Sequence, residues 1–199
     1  LGFSPCPNDT FIFDALVHKK IDTEGLEFDV FFADVEHLNK LAFIGKLDVS
    51  KLSFNAFAKC IDEYVLLDSG SALGENCGPI LIKKPNSILT PKSKIAIPGE
   101  YTTANLLFSI SHPNFLNKHE IIFSEIENEI LKGCCDAGLI IHENRFTYRE
   151  NGLEKVQDLG EFWELKTELP LPLGGIVVRR ELTFEIQKKV ERIIRKSIE

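Results

Sequence analysis

Methionine is absent from all 199 residues, where average usage would supply roughly four. With Leu1 in first place the chain does not open on an initiator residue, so an incomplete or processed N-terminus is expected. No apolar run approaches the length that crosses a bilayer, and no signal peptide is visible. Positive charge is also short: 23 Lys and Arg stand against 30 Asp and Glu, for a net charge of −7. That balance excludes nucleic-acid binding through a basic surface. Cysteine is sparse and odd in number, with five residues at spacings that suggest no framework. A secreted disulfide scaffold is therefore excluded, and a reducing compartment is expected. There is no CxxC, no HExxH and no paired-histidine pattern, so no structural zinc or other metal site is expected. The adjacent Cys134 and Cys135 are read as buried filler. Low-complexity segments and short repeats are lacking too.

What remains is ordinary for a soluble globular chain: 44% hydrophobic and 27% charged residues, enough for one large domain or two small ones. Strand and helix patterns alternate from the start. A strand ends at Phe3, and Asn8 or Asp9 is placed to cap a helix running through Val17. Phe28, Val30 and Phe32 alternate as in a strand over 27–32. Asp34 caps a helix that Gly45 ends, and a strand follows over 49–52. A helix then carries Phe57, Cys60, Ile61 and Tyr64, and short apolar strands are expected at 65–67 and 79–82.

The turn-rich stretch 85–93 is the expected crossing to a second lobe. There the pattern restarts: strand 94–97, helix 102–111, strand 120–123, then a helix capped by Ser124 with Glu127 closing a capping box. A buried strand over 137–141 runs into His142. Two prolines in 169–173 argue against a central strand there, and 174–178 is read as the return crossing. From Thr183 onward a helix carries Phe184, Val190, Ile193, Ile194 and Ile198 near one face. It stops without a terminator, so further C-terminal structure is expected. The expected fold is α/β in two lobes, residues 1–84 plus 174–199 and residues 85–173. Each lobe is expected to hold a parallel sheet, with a cleft between the lobes.

Ligands of parallel α/β sheets bind beyond the carboxyl ends of the strands. Polar residues at such ends are therefore the candidates. Ser4 to Asp9 follow the first strand, and helix-start N–H groups there suit a carboxylate, although a well-capped helix explains the same residues. Lys51, Leu52 and Ser53 end another strand; by local chemistry Lys51 reads as a solvated charge and Leu52 as core. Thr102 and Thr103 either cap a helix or grip a substrate. His142 has the side chain suited to proton removal at neutral pH, and local reading leaves it open between a structural and a catalytic role. Arg145 suits a substrate carboxylate, or an ordinary ion pair with Glu143 or Glu150.

Several segments, in order along essentially the whole chain, resemble the 1,4-dihydroxy-6-naphthoate synthases of the futalosine route to menaquinone. They are LGFSPCPNDTFIFDAL from Leu1, KLSFNAF from Lys51, SGSALGENCGP from Ser69, PGEYTTA from Pro98, AGLIIHENRFTY from Ala137 and LPLPLGGIVVRR from Leu169. The resemblance implies a two-lobed fold of the type II periplasmic-binding-protein kind. It also implies a lyase that takes cyclic dehypoxanthine futalosine to 1,4-dihydroxy-6-naphthoate and dihydroxyacetone. No cofactor is implied. The family's catalytic histidine matches His142, and its substrate-binding segments match Lys51–Ser53 and Thr102–Thr103. Asn39 also resembles a cleft-facing position, and the local reading adds Ser4, Asn8 and Arg145 as cleft candidates. The expected partner is a small-molecule carboxylate, not nucleic acid or membrane, with a homodimer left open. Two rivals share the fold: chorismate dehydratase, whose opening motif differs, and a non-catalytic solute-binding protein.

Overall fold

Gly and Pro punctuate the sequence into short segments, and in the computed structural model, which describes residues 1–199, these become short strands and helices. In chain order the elements begin with β1 (Gly2–Phe3), α1 (Pro7–Val17), β2 (Phe31–Phe32), α2 (Val35–Phe43), β3 (Val49–Ser53), α3 (Phe54–Phe57) and β4 (Tyr64–Leu66). Next come β5 (Ala72–Gly74), β6 (Ile80–Lys83), β7 (Ile95–Ile97), α4 (Thr103–Ser111), β8 (Lys118–Glu120), a 3-10 turn (Phe123–Glu125) and α5 (Ile126–Lys132). The chain closes with β9 (Ala137–Ile140), α6 (Asn144–Thr147), β10 (Glu154–Asp158), α7 (Leu159–Thr167), β11 (Leu171–Arg179) and α8 (Phe184–Ile198). No helix is long and apolar enough to cross a membrane.

Two compact units result: Leu1–Ala72 with Leu173–Glu199, and Leu73–Pro172. The first crossing thus comes at Ala72/Leu73 and not at 84/85. The reason is β6, which pairs with β9 and β10 in the second sheet. The turn-rich stretch after β6 is a connection inside the second unit.

The first sheet runs β2-β1-β3-β11-β4, with β5 also on β11. It is mixed, not wholly parallel: β1 is parallel to β2 and β3, while β11 is antiparallel to β3 and β4. The strand β11 begins at Leu171 and so includes Pro172, but its ladders with β3 and β4 start only at Gly174 and Val177, so the proline stretch is not a central strand, as expected. The N–H that Pro172 lacks is not needed by either ladder. On one face, Phe3, Phe13, Val49, Ile176, Val190 and Ile193 pack together beneath α1 and α8. On the other, Leu38, Ala42, Leu52, Tyr64 and Val177 pack beneath α2. Each large aliphatic or Phe side chain among these, once buried, contributes about 1.5–3 kcal/mol. The helix expected through Tyr64 is only the single turn α3, because Tyr64 already belongs to β4.

The second sheet runs β10-β6-β9-β7-β8, with β7 parallel to β8 and β9, and β6 antiparallel to β9 and β10. The expected strand at 120–123 lies earlier, as β8, and Phe123 is in the 3-10 turn. Helix α5 lies directly against β9 at Gly138. A Cβ there would stand 2.5 Å from Ile126 Cγ2 and 3.1 Å from the Cβ of Ala96. Gly133, at φ 80°, ends α5 in the left-handed conformation that glycine adopts without steric cost. Of the cysteine pair, Cys135 is buried as expected, but Cys134 is exposed.

Candidate active site

In the first unit, β1 and β3 are parallel neighbours, so the residues that follow them leave the same edge of the sheet. The cap of α1 is Cys6, not Asn8 or Asp9, with Pro7 in the first turn. Asn8 is exposed, whereas Asp9 turns back, and its Oδ2 accepts from the Ser4 amide at 3.1 Å and the Ser4 hydroxyl at 2.7 Å. Its other oxygen lies 3.5 Å from Lys51 Nζ, which also donates to the Gly70 carbonyl at 2.8 Å. Lys51 is thus a buried, partnered ammonium and not a solvated charge. Burial, and then the Asp9 carboxylate, push the Cys6 thiol above its ordinary pKa despite opposing contributions from Ser4, the Asp9 amide and Lys51. Cys6 is a neutral cap and no nucleophile at neutral pH.

The end of β3 is held just as closely. Asn39 is wholly buried, so its side chain is not on an open face. Its Oδ1 accepts from the Ser53 amide at 3.1 Å, and its Nδ2 donates to Ser53 Oγ at 2.7 Å and Glu36 Oε2 at 3.2 Å. Leu52 is core.

In the second unit, β7 and β9 are parallel neighbours, so the turns carrying Thr102 and His142 leave the same sheet edge from adjacent strands. Thr102 caps α4: Oγ1 accepts from the Asn105 amide at 3.2 Å and donates to the Gly99 carbonyl at 2.8 Å. Thr103 is the first residue of that helix and is buried.

His142 follows β9 with φ 56°, in the left-handed region. That conformation is uncommon outside glycine, though less so for His and Asn, and such backbone persists only where its surroundings impose it. The surroundings are visible. The His142 ring meets Phe123 edge-on, with centroids 5.0 Å apart, and the His142 carbonyl accepts from the Arg145 amide at 3.4 Å. Arg145 Nη1 donates to the Gly78 carbonyl at 2.8 Å and to Cys77 Sγ at 3.1 Å; Nη2 lies 3.3 Å from Asp158 Oδ2. Its ion-pair partner is therefore Asp158, not Glu143 or Glu150. Glu127 does not form the expected capping box. The helix start at Glu125 has no side-chain cap bond, and the Glu127 carboxylate accepts from Asn144 at 2.7 Å and Asn151 at 2.5 Å.

Reading the sequence missed Phe123, Glu127 and Asp158 as supports of this turn. The available signal was the run of hydrogen-bonding side chains, Asn144 and Arg145, directly after His142. No group of three or more His, Cys, Asp or Glu side chains is arranged to hold a metal ion.

The sequence profile of the family described as Menaquinone biosynthesis matches residues 1–199. The chain is 43% identical over 198 residues to 1,4-dihydroxy-6-naphthoate synthase of Thermus thermophilus, covering 100% of this chain and 72% of that enzyme. To the enzyme of the same name from Streptomyces coelicolor it is 39% identical over 203 residues, again covering 72% of the relative. Among solved structures, a protein of Archaeoglobus fulgidus matches with a TM-score of 0.93 at 38% identity, over 98% of this chain and 73% of that one. The substrate-binding protein of an amino acid ABC transporter matches at 0.63 with 13% identity, over 95% of this chain and 80% of that one. That likeness shows the fold alone, the α/β arrangement of type II periplasmic binding proteins. With a profile match over its whole length and enzymes among its relatives, the chain belongs to the menaquinone-biosynthesis family.

Proposed function

We propose that the chain is a carbon–carbon lyase that converts cyclic dehypoxanthine futalosine to 1,4-dihydroxy-6-naphthoate, with dihydroxyacetone as the fragment lost. His142 is the base. It removes a proton from the sugar-derived ring to give an enolate, carbon–carbon cleavage follows, and aromatisation drives the reaction forward. Thr102 and Thr103, leaving the sheet edge beside His142, hold polar groups of the substrate. Lys51, Leu52 and Ser53 are proposed as substrate-binding residues as well, with Ser4, Asn8 and Arg145 as lesser candidates. Both relatives carry the name of this synthase, which supports the choice of substrate. The observation that carries the mechanism is an imidazole held at the end of β9 in left-handed backbone. The free state of every cysteine supports a cytoplasmic setting.

Product analysis after incubation with cyclic dehypoxanthine futalosine tests this reading, with chorismate as the control substrate. The parent chain should release 1,4-dihydroxy-6-naphthoate and leave chorismate untouched. His142→Asn and His142→Ala should lower turnover by about 10²–10⁴-fold, the usual contribution of a general base. Near-normal turnover in either variant sinks the assignment of the base, and conversion of chorismate by the parent sinks the assignment of the substrate.

A further inference from the structure

A left-handed backbone at a histidine has to be imposed by its neighbours, and here the 3-10 turn and the helix α5 that follows it supply one restraint each. Phe123, in the turn leading into α5, packs on the His142 ring. One helical turn further on, Glu127 reaches the segment that follows His142. This carboxylate is buried, yet its partners are two side-chain amides and no cation: Asn144 Nδ2 donates to Oε1 at 2.7 Å and Asn151 Nδ2 donates to Oε2 at 2.5 Å. Each oxygen takes a different residue, so the carboxylate ties the start of α6 to the turn that closes it. From the opposite side, Arg145 is fixed by Gly78 and Asp158. Residues 144 and 145, which follow His142 directly, are thereby held from both directions.

We propose that Glu127, acting through Asn144 and Asn151, is a positioning residue that keeps the His142 turn in its left-handed form with the imidazole against Phe123. Glu127 touches no reacting atom; it sets the direction in which the ring points. The consequence for catalysis rests on the reading of His142 as the base, whereas the consequence for ring placement does not.

The bond can be inverted without altering net charge. In Asn144→Asp, two carboxylates face each other. In Glu127→Gln, an amide is left facing one of the two amide donors. In the double variant E127Q/N144D, the amide introduced at position 127 donates to the new carboxylate while its oxygen still accepts from Asn151. Each single change should lower kcat about 10- to 100-fold, as expected for a base displaced by about an ångström, with KM little changed. The double variant should recover kcat to within about threefold of the parent, the margin allowed for a small residual displacement. The His142 ring nitrogens, observed by 1H–15N correlation, should shift in the singles and return in the double. Asn144→Ala removes a single donor and supports the same comparison if either charge-altering single fails to fold.

Parental kcat and unshifted ring signals in folded single variants overturn the proposal. So does a folded double variant no better than the weaker single. If His142→Asn keeps parental turnover, the assignment of the base fails by itself, and the ring signals still decide the role of Glu127.

Discussion

The amide of Asn39 has both ends committed: its oxygen to the Ser53 backbone, its nitrogen to the Ser53 hydroxyl and Glu36. Its effect on any ligand near Ser53 is therefore indirect: it fixes where that hydroxyl sits. In Asn39→Ala the buried Ser53 amide loses this acceptor and the buried Glu36 carboxylate loses this donor. A loss of about 1–3 kcal/mol is expected in urea unfolding. A change well below the lower end of that range would show that water replaces these bonds. At this scale the sequence carries part of the information. His142 stands out because it ends an apolar strand. Lys51 does not, because a strand-end lysine looks solvated until the Asp9 carboxylate is folded back onto it. Glu127 is hidden for a sharper reason. The spacing Ser124-to-Glu127 is that of a capping box, and only tertiary contact with Asn144 and Asn151 takes the carboxylate elsewhere.

Among the elements, α5 has the widest influence on the candidate site, and its position depends on the missing side chain of Gly138. Gly138→Ala places a methyl group 2.5 Å from Ile126, so α5 must shift away from β9. Destabilisation of about 1–3 kcal/mol is expected from overpacking. Because Phe123 and Glu127 move with α5, turnover should fall in protein that is still fully folded. Melting curves and kcat measured on the same sample check this; a stability loss without a kcat loss would detach the helix from the site. The helices are largely legible in the sequence, since α2, α4 and α8 carry Asp34, Thr102 and Thr183 at their caps. The strands are less so. β10 and α7 escape notice because Glu154–Asp158 is polar and half-exposed and presents no apolar alternation. The breadth of β11 is hidden by Pro172, whose lack of an N–H matters only where a ladder needs it.

The two units differ in how they are threaded. The second is one continuous stretch, Leu73–Pro172, while the first draws on two, Leu1–Ala72 and Leu173–Glu199. Moreover β11 is not an edge strand of the first sheet: it lies between β3 and β4 and pairs with both. The first unit thus cannot close its sheet until the whole of the second has been traversed by the chain. This topology sets an order of assembly. Pairings local in sequence form faster than those that must first close a long loop. The second unit is expected to reach its native state first, and the first unit to follow in a slower phase. The chain contains a single tryptophan, Trp163, in α7, so its fluorescence reports the second unit alone. In refolding from urea, the Trp163 signal should be complete while the far-ultraviolet circular dichroism is still rising, and coincident traces would show that the two units fold as one. On this view β11 acts as a latch set last, and substitutions that weaken its pairing should slow the late phase and leave the tryptophan phase as it was.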